Sequence, residues 1–386
     1  MMYKEKVKLI VKNNKIIYWL YYYVMSAIIN FIRLFVKTDN KLILFVSYGG
    51  RYFNDSPKVI YDAMFNDERF NGYRLIWAFL HPENITDSRL NKIKIDTLEY
   101  YLIALKARCW VTNVVVERGL NFRGKHTFYF HTTHTTLPKL MGYDDVSKSF
   151  TLPCGFKYDC SCAQSLEEKK LQKSMFRLKD NQIQVIGYPK NDILCNYSLS
   201  YRERIVDSLH IPNGKKIILY APTYRDIAFS AVRCPVDFKN WESELGGGYV
   251  VLFRAHPVVA NETLIDSSNR FVIDVSNYSD NMELMIAADI LISDYSGMFF
   301  EFGVQDKPMF CYAYDYIEYT QDRGLYFDIR DYLPGGHMSE KELLEYIKNG
   351  DVSEIMEKVN SFKNKYITQY GHATEKCLDI ICDNIN

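Results

Sequence analysis

The chain repeats one rhythm: a short apolar run, a break at Gly, Pro or a polar cluster, then a longer amphipathic stretch. The runs Leu42–Ser47, Tyr73–Phe79, Cys109–Val116, Phe128–Thr132 and Gln182–Gly187 read as strands, because parallel strands covered on both faces show continuous apolar sequence. Ser56–Asn66 and Thr97–Lys106 read as helices between them. The second half continues with strands at 216–221, 249–254, 271–275, 290–293 and 308–313. A helix at 280–288 carries Asp280 and Glu283 at capping-box spacing. From Ser339 onward the pattern is helical and amphipathic, and these last helices are free to pack back across the molecule. Alternating β and α elements split near residue 200 predict an α/β protein of two doubly wound, Rossmann-like domains facing a cleft. The expected division is 1–40, 41–200 and 201–386.

Three strand ends in the second half carry the candidate chemistry. The run from Tyr249 stops at Pro257, and Arg254 and His256 share parity, so both leave one face at the carboxyl end of the strand. Ligands of open α/β sheets bind at that end. A guanidinium grips phosphate oxygens, and an imidazole can donate a proton to a leaving oxygen near neutral pH. The same placement also suits a His that only caps a loop carbonyl. The strand from Lys216 breaks at Pro222, with Thr223 and Arg225 projecting beyond it. The strand from Ile290 runs through Asp294 into Met298–Gly303, which reads as a helix start with Ser296 at or near its N-cap. Unpaired N–H groups there favour a phosphate, and Gly297 lets the backbone approach an anion. Jointly these ends indicate a phosphate or nucleotide site. In the first half, the strand from Phe128 enters a loop with two His and four Thr. That loop suits an acceptor hydroxyl, although it also suits a packed turn. A His on one wall and a His with two Arg on the other would set a base and a phosphate clamp across one cleft.

Composition narrows the picture. The 386 residues have zero formal net charge, so neither a nucleic-acid coat nor a generally acidic partner is implied. No GxGxxG and no Walker lysine loop occurs, which removes the commonest dinucleotide and ATP readings. The nine Cys form no zinc or redox spacing, and Cys109, Cys195, Cys311 and Cys377 read as reduced core thiols. Residues 1–40 stand apart: seven Lys or Arg oppose two acidic residues, and Ile16–Val36 is almost wholly apolar, interrupted by Ser26, Asn30 and Arg33. No small-residue cleavage site follows, and the interruptions spoil a clean span of about 20 residues. Aromatics at Tyr18, Trp19 and Tyr21–Tyr23 favour a helix lying in an anionic membrane interface; the alternative is a first helix packed on the body of the protein.

The segments His134–Asp144, Gly187–Asp192, Leu219–Arg225, Arg254–Pro257, Ser293–Glu301 and Gly324–Asp328 resemble, in order and spacing, the CDP-glycerol glycerophosphotransferase family of bacterial teichoic acid and capsule synthesis. The resemblance covers residues 40–386 and implies a GT-B-like catalytic region. It implies displacement at the β-phosphorus of a CDP-alcohol by a hydroxyl of a lipid-linked glycan or growing polymer, releasing CMP. The setting implied is the cytoplasmic face of the membrane; peripheral attachment is expected from the N-terminal segment and no nucleic acid from the net charge, and no acidic metal cage is apparent, so no tightly bound cofactor or metal is expected. His134 matches the general base of a His-Gly-Thr-Pro-Leu-Lys loop, with Lys139 as its Lys, and His256 matches the His at the diphosphate. Pro222, Thr223, Arg254, Ser296, Gly297 and Glu301 fall on positions that contact the donor, and Thr135, Thr136, Lys190, Arg225 and Asp294 complete the expected substrate contacts. The chain departs from the family pattern at five places, one of them the Pro of the first loop, displaced by one to Pro138. Thr135 stands where the loop has Gly, Lys190 where Arg is usual, Gly297 where a second Ser is found, and Glu301 where Asp is found. The longer Glu301 raises CDP-ribitol as an alternative donor. A nucleotide-sugar glycosyltransferase of the same fold and a non-catalytic, membrane-associated nucleotide-binding scaffold are the rival readings. Oligomeric state is left open.

Overall fold

The central strand of the first half shows why the apolar runs are so dense. In the computed structural model, which describes residues 14–136, 138–145, 155–223, 236–255, 270–322 and 324–386, Leu42–Val46 is fully buried. That run belongs to β1 (Asp39–Val46). β1 pairs in parallel with β2 (Arg74–Phe79) on one side and β4 (Ala107–Thr112) on the other. β3 (Asn91–Lys94) extends the β2 edge, and β5 (Phe128–His131), β6 (Cys160–Ala163) and β7 (Ile183–Val185) follow beyond β4. The resulting order is β3-β2-β1-β4-β5-β6-β7, all parallel. Alternate residues of β1 feed opposite cores: Leu42, Leu44 and Val46 pack with Trp110 and the Leu98–Lys106 helix, whereas Ile43 and Phe45 pack with Trp77 and the Asp55–Met64 helix.

The second sheet repeats the design with five parallel strands in the order β10-β9-β8-β11-β12. These are β8 (Lys216–Tyr220), β9 (Tyr249–Phe253), β10 (Val272–Asp274), β11 (Ile290–Ser293) and β12 (Met309–Cys311). The Val352–Tyr366 helix buries Val359 and Phe362 against this second sheet. The Ala373–Ile385 helix then returns to the first half, where Cys377, Leu378, Ile381 and Ile385 join the core over Ile43 and Phe45. The Gly187–Asp192 segment receives it. Gly187 has φ +90°, and a Cβ there would lie 2.7 Å from the Gln369 carbonyl oxygen. The Asp192 carboxylate accepts from the backbone N–H groups of Ala373 and Thr374 at 3.0 and 2.7 Å, satisfying the first turn of the returning helix.

The Lys15–Arg33 helix lies against the first half along one stripe. Tyr22, Ser26 and Ile29 are buried, Ser26 Oγ accepts from the Asn121 N–H at 2.9 Å, and Asn30 Nδ2 donates to the Asn121 carbonyl at 2.7 Å. The opposite stripe, including Ile16, Leu20, Tyr23, Val24, Ile28 and Phe31, is exposed. The polar interruptions of the sequence are therefore docking contacts.

Several local expectations need correction. β4 stops at Thr112, four residues before Val116, because Asn113 leaves the ladder. Asp280 caps its helix through the Met282 and Glu283 N–H groups, but Glu283 does not reach back to complete a box. Its carboxylate accepts instead from the hydroxyls of Tyr201 and Tyr278. Cys195 is exposed on the outer face of the Asp192–Asn196 turn, where Leu194 takes the inward position.

Candidate active site

β5 delivers the His-Thr loop to the carboxyl edge of the first sheet. His131 is still in the core, stacked on Tyr158 at 3.8 Å with Nδ1 3.0 Å from Ser161 Oγ, and burial pushes its pKa down to about 3. The chain then turns sharply. Thr133 takes φ +53°, a conformation that a β-branched side chain rarely adopts. Two anchors hold the loop on either side: Thr132 N–H donates to the Thr112 carbonyl at 2.8 Å, and Gln164 Nε2 donates to Thr136 Oγ1 at 2.8 Å. His134 emerges half-buried, its ring 5.9 Å from that of Tyr48. Burial lowers its pKa below the usual histidine value; the nearby Asp55 carboxylate opposes this and Lys190 reinforces it. Tyr48 itself is held in place by its N–H, which donates to Asn113 Oδ1 at 2.8 Å. A neutral imidazole presents one ring nitrogen as a proton acceptor.

Behind the loop lies a buried charge cluster. Lys190 Nζ is 3.1 Å from Asp55 Oδ2 and 2.8 Å from Glu301 Oε1, and it also donates to the His134 carbonyl. The three side chains are only 7%, 5% and 7% exposed. Burial pulls the Lys190 pKa down, but the two carboxylates outweigh it and hold it above the ordinary lysine range. Asp55 itself has φ +64° and accepts a second bond from the Tyr48 hydroxyl at 2.8 Å. Lys190 thus ties Asp55 of the first half to Glu301 of the second, beneath the candidate base. A second cluster supports the loop from below: Glu168 is buried with its pKa raised by burial, and accepts from Tyr188 and from the Gln164 N–H at 2.8 Å.

On the facing edge, Thr223 and Asp294 are locked together. Both the N–H and the hydroxyl of Thr223 donate to Asp294 Oδ1, the former at 2.9 Å, and Tyr295 N–H donates to the same oxygen at 2.7 Å. Asp294 is buried, so it shapes the Pro222–Thr223 turn. Arg254 directs Nη1 to the carbonyls of Val275 and Tyr278, both at 2.9 Å, and burial lowers its pKa. Ser296 Oγ accepts from Met298 N–H at 3.1 Å, while Gly297 takes the N-cap position expected for Ser296. The helix that follows is short, Met298–Phe302, which limits its dipole. Arg225 and His256 lie outside the described residues.

The two edges touch. Thr135 Oγ1 lies 3.2 Å from the Gly297 carbonyl oxygen, to which it donates. Lys139 forms an antiparallel bridge with Leu325, Leu140 N–H donates to the Gly324 carbonyl at 2.9 Å, and Tyr326 N–H donates to the Pro138 carbonyl at 2.6 Å. Lys139 Nζ stands 5.7 Å from the centre of the Tyr319 ring. Direct contacts therefore bring His134, Thr135, Lys190, Gly297 and Glu301 into one neighbourhood, and pair Thr223 with Asp294. Thr136 faces inward, toward Gln164 and Tyr188. Sequence reasoning missed Asp55, Tyr48 and Asn113. The signal for Tyr48 and Asp55 was the Gly49–Gly50 turn and the Asn54–Pro57 break directly after β1; for Asn113 it was the polar residue that interrupts the apolar run of β4.

Comparison with known proteins places this geometry. Residues 28–383 match the family described as CDP-Glycerol:Poly(glycerophosphate) glycerophosphotransferase. The chain is 32% identical over 90% of its length to a teichoic acid poly(glycerol phosphate) polymerase of Staphylococcus epidermidis, and spans 52% of that longer protein. It is 30% identical to a teichoic acid glycerol-phosphate transferase of Staphylococcus aureus, covering 92% of this chain and 95% of the relative. Among solved structures, wall teichoic acid polymerase TagF soaked with CDPG superposes with a TM-score of 0.82 at 29% identity, covering 93% of each chain. A UDP-GlcNAc 2-epimerase of Neisseria meningitidis shares the fold alone, with a TM-score of 0.51 at 13% identity.

Proposed function

The chain belongs to the CDP-glycerol:poly(glycerophosphate) glycerophosphotransferase family, and from that premise we propose that it transfers glycerol phosphate from CDP-glycerol to a hydroxyl of a teichoic-acid acceptor, releasing CMP. The observation that carries the reading is the meeting of the His134 loop with the Gly297–Glu301 segment across the cleft. Phosphoryl-type transfer depends on positioning and charge neutralisation more than on covalent chemistry. His134 takes the proton of the acceptor hydroxyl as its oxygen attacks the β-phosphorus. The phosphorus–oxygen bond to CMP breaks as the phosphodiester forms. Thr223, set by Asp294, lines the donor side together with Arg254 and Ser296. Lys190 acts as a brace for the base loop. Glu301 gives Oε1 to Lys190 and is nearly closed to solvent, which supports a glycerol donor over a longer polyol. Incubation of the purified protein with CDP-glycerol and a lipid-linked acceptor should yield CMP and an acceptor heavier by one or more glycerol phosphates. Release of UDP from a UDP-sugar, with CDP-glycerol untouched, would replace this reading by a glycosyltransferase one.

The proposal extends to the membrane surface. What supports peripheral attachment is the two-sided Lys15–Arg33 helix: one stripe is tied to residues 121–123, and the other offers Ile16, Leu20, Tyr23 and Phe31 to an interface. Such a helix lies along the body and dips its outer face into the headgroup layer.

A further inference from the structure

Gly297 has φ −64° and ψ −14°, a conformation open to any residue, so nothing in its own backbone calls for glycine. The requirement comes from the opposite wall. A Cβ built on Gly297 would lie 2.4 Å from Thr135 Oγ1, 2.7 Å from Thr135 Cγ2 and 2.9 Å from the Thr136 carbonyl oxygen. Ordinary contact begins at 3.4 Å, so relief demands a separation of about 1 Å between the walls. Neither wall yields easily. The loop is fixed through Gln164 and Thr136, and Gly297 is followed by the buried Phe299–Phe302 turn. The missing side chain is also used: Thr135 Oγ1 donates to the Gly297 carbonyl and contacts the Thr136 carbonyl, both at 3.2 Å. Thr135 directly follows His134.

We propose that Thr135 and Gly297 are a matched positioning pair, in which the absent side chain of one makes room for the hydroxyl of the other and so sets the reach of His134 to the donor phosphorus. The bulk at this contact is carried by the base loop, and the loop's position is read from the donor wall by one hydrogen bond. The inference rests on the assignment of His134 as the acceptor base. A displacement of about 1 Å in a positioning contact can cost roughly 100-fold in rate.

The test uses the full chain with Gly297→Ala, Thr135→Gly and the double variant. CMP release with acceptor gives kcat and KM, and calorimetry gives CDP-glycerol affinity. Gly297→Ala should lower kcat about 10- to 100-fold while donor affinity stays within about threefold, and adding Thr135→Gly should recover about tenfold of that loss. Thr135→Gly alone should lower kcat by a few fold, through loss of the hydrogen bond. Wild-type kcat in Gly297→Ala, or a double variant no faster than Gly297→Ala, overturns the pairing. Thermal unfolding separates the two levels of the argument. If wild type releases no CMP at all, the functional reading falls. The pairing then stands or falls on whether Thr135→Gly restores the melting temperature lost in Gly297→Ala.

Discussion

Replacing Lys190 by Met removes the cation that joins Asp55 and Glu301, and the cost can be worked from the geometry. The ammonium lies 3.1 and 2.8 Å from two carboxylates, and all three side chains are nearly closed to solvent. Breaking a buried ion pair by deleting one partner typically costs about 3–5 kcal/mol, because the remaining charge is left uncompensated. Here two like charges remain, so the upper part of that range is expected. An internal control is available in the Lys58–Asp62 pair, whose side chains are 38% and 31% exposed. Lys58→Met should cost no more than about 0.5 kcal/mol. Denaturant unfolding of the two variants measures the contrast. Adding Glu301→Gln to Lys190→Met removes one stranded charge and should recover at least about 1 kcal/mol. The His134 carbonyl also loses its donor, so kcat should fall together with stability. A Lys190→Met protein as stable as wild type, or one that Glu301→Gln fails to help, would refute the view of Lys190 as the brace beneath the base.

Asp294→Asn should weaken CDP-glycerol binding about tenfold by loosening the Thr223 turn, which equilibrium titration would detect, with little change in the pH profile. The pH dependence of transfer follows from His134: its pKa is lowered by burial, so the neutral base persists below the usual histidine value of about 6.5 and activity should fall only on further acidification. Asp55→Asn removes a neighbour that raises that pKa, so the acid limb should move to still lower pH; movement to higher pH would contradict the electrostatic assignment. Leu20→Glu with Phe31→Glu, both on the exposed stripe, should abolish co-sedimentation with anionic vesicles while leaving turnover of a soluble acceptor analogue largely intact.

The central strands were legible because each carries its own evidence of burial: Leu42–Val46, Ile217–Tyr220 and Val250–Phe253 are buried on both faces and read as continuous apolar runs. β3 and β6 were not. β3 reads Asn-Lys-Ile-Lys, an edge strand in which only Ile93 turns inward. β6 reads Cys-Ser-Cys-Ala, four small buried residues whose strand character comes from β5 and β7 on either side. The placement of His134, Thr223, Arg254 and Ser296 at or just beyond strand ends was readable from parity and breaks. The support beneath it was not, since a buried carboxylate looks in sequence like any surface carboxylate. Asp55, Lys190 and Glu301 are separated by 135 and 111 residues and become one group only when the two sheets face each other. The match between Thr135 and Gly297 is hidden for the same reason: each looks like a local departure until the walls are brought together.

The central claim is that the His134 loop supplies the base to a donor bound on the opposite wall, and His134→Asn tests it most directly. The side chain keeps its approximate size and loses its basic nitrogen. Calorimetric titration with CDP-glycerol, run beside acceptor-dependent CMP release on the same preparation, separates binding from transfer. The account predicts donor affinity within about threefold of wild type, with transfer reduced at least about 100-fold. Transfer near the wild-type rate, or loss of CDP-glycerol binding in a folded variant, would contradict it.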